Sequence, residues 1–328
     1  MTEMTSPATN PPTPPTPPTP PVPPAPAAAT GPAAPPSSGA LRALKVFGRS
    51  FGTVWSNGKA RLGLVILALF VLVAVLAPVI APYSPHANDF TPGAGSSSAH
   101  LLGTTGAGED VLSQLLYGAR VSIVVGFVAG GLATLVAVAV GLSWGYLRVW
   151  LGDVVNFVVN LFLVVPGLPL MIIIAAYLQN GGLKMVVLVV VITGWAWGAR
   201  VLRAQTQSLR SRDFVTAALF SGESATRVVF REILPNMTSM IAGSFFGAAT
   251  AAVLSESGLS FLGLGDPFTV SWGSMLYWAQ NSNALLTGQW VLLFAPGLCV
   301  ALLATAMTLV NFGVDGLSNP RLREGSTR

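Results

Sequence analysis

Charge is what this sequence has least of: 9% of its 328 residues are Asp, Glu, Lys or Arg, against roughly 25% in an ordinary soluble domain. With 52% hydrophobic residues and a mean hydropathy of +0.67, too little polar surface exists to cover a soluble globule of this size. Cysteine is nearly absent too. Cys299 stands alone, which excludes an internal disulfide and a thiolate metal cluster, and its apolar run marks an inert buried thiol. The two histidines, His86 and His100, lack ligand spacing and read as loop residues, so no metal site is expected. No GxSxG and no Ser/His/Asp context for catalysis occurs. A phosphate-binding GxxxxGK[ST] loop is missing as well. Gly52 with Gly58-Lys59-Ala60 has one residue too many, and Ala60 offers no hydroxyl. The chain therefore carries no enzyme site, cofactor site or energy source of its own. Its basic excess is five charges, sorted by position along the chain rather than gathered into one stripe, which argues against nucleic acid.

What is abundant is apolar sequence in lengths that cross a bilayer, about 20 residues each. The spans expected are Leu62 to Pro82, Ser122 to Tyr146, Val154 to Leu178, Met185 to Leu202, Ser239 to Leu262 and Trp290 to Phe312. These make an all-α integral membrane protein of six transmembrane helices. Ahead of them, residues 1–40 form a proline-rich tail, with eleven prolines in the sixteen positions 11–26. Such composition has little to bury and suits an extended polyproline II segment rather than a cleavable signal. A basic segment, 41–61, follows.

Lysine and arginine set the orientation. With the tail cytoplasmic, the inner side holds Arg42, Lys45, Arg49, Lys59 and Arg61, then Arg148, then Arg200, Arg203, Arg210, Arg212, Arg227 and Arg231, and finally Arg321, Arg323 and Arg328. Arg120 and Lys184 alone fall outside. Both termini, including the short tail 321–328, are thus expected in the cytoplasm.

Within the spans, Gly126/Gly130, Gly141/Gly145, Gly194/Gly198 and Gly243/Gly247 repeat at a spacing of four, which lets helix backbones approach closely. Pro166-Gly167-Leu168-Pro169 must break or kink the third span, either lining a pathway or as a structural bend. Glu256 is an acid inside the fifth span and must be paired, protonated or near the outer water boundary. A cavity or gate role for Glu256, Pro166 and Pro169 stands beside a structural one, an interhelical hydrogen bond in the case of Glu256.

The longest polar stretch between spans runs from Arg203 to Asn236. Its part DFVTAALFSGESATRVVFREILPN predicts one short helix over Asp213 to Phe220, a turn at Ser221-Gly222, and a second helix from Glu223 ending before Pro235. Ala225, Val228, Val229 and Ile233 form an apolar stripe on the second helix, suited to a membrane surface or to a groove in a partner.

This segment resembles the EAA loop of bacterial ABC importer permeases. Thr216-Ala217-Ala218, Gly222 and Leu234-Pro235 match its spacing, with Thr216 replacing the usual Glu and Glu232 standing where His is common. The stretch from His100 to Arg120, HLLGTTGAGEDVLSQLLYGAR, is similar to the HxLGTDxxGRDVLSRLxYGAR stretch of dipeptide and oligopeptide permeases, with Thr105 for Asp and Glu109 for Arg. Glu256 to Gly265, ESGLSFLGLG, followed by Trp272-Gly273-Ser274-Met275, is similar to their ExxLSFLGLG and the WGSM beyond it. The likeness covers roughly residues 60 to 320 and fits the C-type permease subunit of the peptide/nickel family.

The resemblance implies a type I ABC importer permease fold over 62–320, with a cytoplasmic coupling-helix loop between helices four and five, in a bacterial inner or plasma membrane. It implies a sister permease, cytoplasmic ABC ATPase subunits that hold ATP and Mg, and an extracytoplasmic substrate-binding protein. Thr216, Ala217, Ala218, Gly222, Glu223, Arg227, Leu234 and Pro235 become ATPase-coupling residues. Transport of nickel chelates or another small solute on the same architecture is an alternative. Two rivals belong to different classes: an ATP-independent channel or carrier would not need the long segment 203–236, and a membrane-embedded enzyme finds too few polar side chains within the spans.

Overall fold

The computed structural model describes residues 55, 57–146, 149–178, 182–266 and 268–318. The proline-rich tail 1–40, most of the basic segment 41–61 and the C-terminal 321–328 lie outside the described residues. The described chain is helical, and its one bridge between extended residues pairs Thr104 with Asp110. The long helices are α1 (Gly58–Ile80), α2 (Val111–Tyr146), α5 (Gly182–Arg210), α9 (Thr238–Phe261) and α11 (Val291–Ser318). Each contains a stretch apolar and long enough to cross a membrane. Between α2 and α5 lie α3 (Val149–Val164) and α4 (Gly167–Tyr177), bent 93° from each other.

Residue contacts fix the direction of every long helix. The approach of Gly198 to Ala137, Gly141 to Leu202 and Gly145 to Thr206 rises in register on both helices, so α2 and α5 run parallel. Gly126 against Val253 and Gly130 against Ala249 set α9 antiparallel to α2. Gly63 meets Ala306 and Val310 while Ala60 packs with Val310 and Val314, so α1 and α11 are antiparallel. Two parallel neighbours require a return crossing between them, and α3 with α4 supplies it. The bundle therefore has six crossings, with α1 and α11 both meeting the end of the bundle that carries residues 203–236. That end is called the basic end, and the opposite one, carrying residues 81–110 and 262–290, the loop end.

The break in the third crossing follows from the prolines. Pro166 has no N–H for the Phe162 carbonyl, and its backbone (φ −58°, ψ 122°) leaves the helix, which resumes with Leu170 N–H donating to the Pro166 carbonyl at 3.1 Å. Helix α2 is longer than the expected span. Its 36 residues extend about 54 Å and begin eleven positions before Ser122, because Asp110 accepts from both Ser113 N–H (2.8 Å) and Ser113 Oγ–H (2.7 Å) and caps the helix there. Helix α5 likewise runs on to Arg210, past the expected end at Leu202.

Helix α2 is the spine, packing against α1, α5 and α9. Its glycine pairs make the close approaches. A Cβ at Gly126 would lie 2.6 Å from Val253 Cγ2, and one at Gly130 2.6 Å from the Ala249 backbone. At Gly141 and Gly145 it would meet Ala199 O at 2.8 Å and Thr206 Cγ2 at 2.5 Å. Gly194 and Gly247 have ordinary room, with nearest atoms at 3.9 Å. In a bilayer, where lipid is as apolar as leucine, this backbone proximity and the dispersion it permits hold helices together.

Candidate functional site

At the basic end, α6 (Asp213–Phe220) stands where the sequence places it. It ends in a Schellman motif: Glu223 N–H donates to the Ala218 carbonyl (3.2 Å) and Gly222 N–H to Leu219 (3.0 Å). Gly222 adopts φ +83° with nothing within 4 Å of a hypothetical Cβ, so its requirement is conformational rather than steric. The second helix begins two residues later than expected. Ser224 is its N-cap, accepting from Arg227 N–H at 3.4 Å, and α7 (Ala225–Val228) follows.

The helix also runs past Pro235 instead of ending before it. Val229–Ile233 widens into a π-helical turn, in which Leu234 N–H reaches the Val229 carbonyl, before α8 (Leu234–Asn236). The wider turn accommodates the proline ring, which would press on the Arg231 carbonyl in an α-helix, and removes the need for its absent N–H.

The apolar stripe is spent inside this chain. Val215, Val228 and Ile233 are fully buried against Ala137 and Leu142 of α2 and Ala199 and Leu202 of α5. The stripe therefore fills neither a partner groove nor the bilayer surface. Ala225, expected on the stripe, is exposed. Of the expected coupling residues, Thr216, Ala217, Gly222, Arg227 and Pro235 face outward, whereas Ala218, Glu223 and Leu234 are half-buried. The outward surface has an apolar component absent from the sequence-based list: Phe220 is 87% exposed and Phe230 61%, beside Phe214 and Leu219. Both phenyl rings open outward on a segment that lies outside the apolar crossings. A polar loop with phenylalanines that fall off its helical stripe was the available signal.

At the loop end the separate sequence motifs meet. Trp272, which starts α10 (Trp272–Asn281), is buried, donates Nε1–H to the Leu115 carbonyl (3.0 Å), and lies edge-on to Phe70 at 5.5 Å. Gly118 leaves the room: a Cβ there would stand 2.9 Å from the indole. Ser271 and Ser274 form a capping box under it. The SFLGLG run is a second Schellman ending, with Leu264 N–H on the Leu259 carbonyl (2.9 Å) and Gly263 at φ +77°. Gly273 then seats α10 on Ser257 and Ser260, where a Cβ would have 2.7–2.9 Å contacts.

Glu256 lies in this knot, 1% exposed. Ser260 Oγ–H donates to it at 3.0 Å, Ser257 at 3.4 Å and Ser122 of α2 at 3.5 Å. It thereby ties α9 to α2, and it borders a small cavity shared with Asp266, Thr269 and Ser271. Thr105 and Glu109, two of the departures from the peptide-permease pattern, face each other. Thr105 Oγ1–H donates to Glu109 Oε2 (3.3 Å), which also takes a bond from Gln114 Nε2–H (2.9 Å). His100 is a structural loop residue, with Nδ1 2.9 Å from Asp110 Oδ1 and its ring packed in a triangle with Tyr83 and Phe90.

Pro166 and Pro169 stand at the break of the third crossing, both exposed on this chain and apart from Glu256, which contacts α2 and the loop end instead. Sequence reading missed the polar residues leading to that break. Asp153, Asn156 and Asn160 lie on α3 at spacings of three and four, and Arg200 of α5 donates to Asn160 Oδ1. The expected boundary at Val154 had left Asp153 outside the span.

The chain's relatives bear on these features. Residues 137–324 match the profile of binding-protein-dependent transport system inner membrane components, and residues 55–94 match the N-terminal transmembrane domain of oligopeptide transport permease C. The chain is 34% identical over 260 residues to an oligopeptide transport system permease protein, OppC, of Mycobacterium bovis, covering 77% of this chain and 85% of that one. It is 32% identical over 272 residues to a dipeptide transport system permease protein, DppC, of Bacillus subtilis (81% and 83%). A di/tripeptide transport system permease protein of Pseudomonas aeruginosa is 31% identical over 291 residues (86% and 94%).

Proposed function

Because this chain belongs to the family of binding-protein-dependent transport inner-membrane components, we propose that it is the C-type permease subunit of an ATP-driven importer of di- and oligopeptides. Family membership makes it a multi-pass membrane permease rather than an enzyme, working with ATPase and binding-protein partners. The peptide substrate rests on the relatives, each of which carries an oligo-, di- or tripeptide permease name. A sister permease completes the passage, and ATP with Mg binds in the partner ATPases.

The observation that carries coupling is the two-sided segment 213–236. One side, Val215, Val228 and Ile233, is locked to α2 and α5, and the other presents Phe220, Phe230, Thr216 and Ala217 outward. With the basic end cytoplasmic, as its arginines favour, an ATPase gripping the outer side moves the inner side with it. Helices α2 and α5 are parallel and joined through Gly141 and Gly145, so they respond as one body and rock against α9.

The test is gentle solubilisation from the native membrane, identification of stoichiometric companions, and uptake of a labelled tripeptide by vesicles holding the complex. Recovery of a P-loop ATPase, a second permease and a binding protein, with ATP-dependent uptake, is expected. A chain recovered alone, or uptake that survives ATP depletion with clamped ion gradients, would overturn the proposal. Uptake of a nickel chelate in place of peptides would overturn the substrate and leave the machine.

A further inference from the structure

A charged and amide-bearing track runs along the broken crossing. Asp153, Asn156 and Asn160 share one face of α3, and the Asn160 amide N–H donates to Asn156 Oδ1 at 3.1 Å. The Asn160 carbonyl oxygen in turn holds the guanidinium of Arg200. Asn160 is its one hydrogen-bond partner among the described residues, and no carboxylate pairs with it there. A neutral amide orients a guanidinium without neutralising it. Arg200 is exposed on the surface of this chain, as is Asp153.

Asn160 lies six residues, about 9 Å, past the expected start of this crossing at Val154, so Arg200, at the inner end of its own expected span, reaches with it into the hydrocarbon. An unpaired cation reaching that depth does not face lipid. Farther along the same crossing, Pro166 leaves the Phe162 carbonyl without an N–H partner four residues on, and the chain runs out of helix before it resumes at Gly167. Irregular backbone at membrane depth belongs against protein or a water-filled passage.

Resting on the peptide-importer reading, we infer that this face lines the passage and that Arg200, seated on Asn160, binds the C-terminal carboxylate of the peptide in transit. Asparagine amides and free backbone carbonyls suit a peptide main chain of any side-chain sequence, since each supplies the donors or acceptors that a peptide group needs. The guanidinium supplies the one charge complement that every unmodified peptide shares, in the two-pronged geometry a carboxylate accepts. Asp153 sits seven residues from Asn160, roughly 10 Å along the helix. That is about the length of an extended tripeptide, and it places an acid where the peptide's ammonium end would lie.

The experiment uses the whole transporter in proteoliposomes with its own binding protein, comparing trialanine with trialanine amide in wild type, Arg200→Gln and Arg200→Lys. Taking the acid-to-amide ratio of KM within each variant cancels the binding protein's own preference. Arg200→Gln should raise KM for the free acid about tenfold while leaving the amide nearly unchanged, the scale of one charged hydrogen-bonded pair. Arg200→Lys should recover part of the loss. Equal loss for both peptides, or no loss for either, overturns the inference, the first pointing to a contact with the sister chain.

A second readout needs no transport. In a Cys299→Ala chain, Asn156→Cys is this subunit's lone thiol and should react with a charged methanethiosulfonate, more slowly when trialanine is bound. An unreactive thiol, or one that trialanine leaves unprotected, sinks the passage assignment. Wild-type vesicles that import no peptide at all would bring down the peptide reading, and this inference with it.

Discussion

Replacing Gly130 and its neighbour Gly131 by alanine should move stability in opposite directions. Both glycines lie in the middle of α2, where alanine favours the helix over glycine by about 1 kcal/mol. At Gly131 a Cβ would meet Phe245 Cε2 at 3.7 Å, an ordinary contact, so the propensity gain survives. At Gly130 it would stand 2.6 Å from both Cα and N of Ala249. Backbone atoms cannot swing aside, and carbon pairs rest at about 3.5–4.0 Å, so α2 and α9 must part by about 1 Å. A gap of that size forfeits a quarter to a half of the dispersion along the seam, and overpacking of this kind typically costs about 1–3 kcal/mol.

The same seam carries the bond from Ser122 to Glu256, so separation also strains it. Net of the propensity gain, Gly130→Ala should lower the melting temperature of the full chain in mild detergent by up to about 8 °C, at about 2–4 °C per kcal/mol. Gly131→Ala should leave it unchanged or raise it by up to about 4 °C. Fluorescence-detected melting of a tagged chain measures both. If Gly130→Ala melts at or above wild type, the α2–α9 seam is not held by backbone proximity and the reasoning fails.

Three more outcomes are expected. Thr105→Asp sets a second carboxylate beside Glu109 and should destabilise the loop end, whereas Thr105→Asp with Glu109→Arg should recover stability. A coupling near zero in that double-mutant cycle, instead of about 1 kcal/mol, would show that the two positions do not interact. Phe220→Ala should leave melting within about 1 °C, since the ring is 87% exposed, yet reduce ATPase recovery in pull-downs at least severalfold; unchanged recovery removes the ring from the docking face. Glu256→Gln keeps an acceptor for the serines and should preserve assembly, whereas Glu256→Ala leaves Ser122 and Ser260 hydroxyls unpartnered and should lower stability by about 1–3 kcal/mol. Altered transport kinetics in the Gln variant at full stability would move Glu256 from a structural to a gating role.

How much was legible beforehand depended on the range of the physics. Six crossings, the break at Pro166-Gly167-Leu168-Pro169 and helix α6 were legible because apolar length, a missing N–H and an acidic first turn act within a few residues. The 93° angle of the break was not, since packing against α5 and α9 sets it. The stripe Val228–Ile233 was visible as apolar, but its target was not: periodicity reports that a face is buried and says nothing about which chain buries it. Thr105 and Glu109 stand in the sequence as separate departures, and only the turn at Gly106 to Gly108 puts one opposite the other. Asp153, Asn156 and Asn160 were not legible as a face, because polar residues at helical spacing inside an apolar run dilute its signal without ending it.

The parallel seam between α2 and α5 has a consequence in time. The ribosome completes α2 at Tyr146, but the partner for Gly141 and Gly145 ends at Arg210, sixty-four residues later, with a whole broken crossing between them. At 5–20 residues per second that is an interval of roughly 3–13 s. During it the notched side of the helix must be tolerated by lipid, by the insertion machinery or by a newborn neighbour. Substitutions at Gly141 and Gly145 should accordingly show up in pulse-chase yield before they show up in the finished protein.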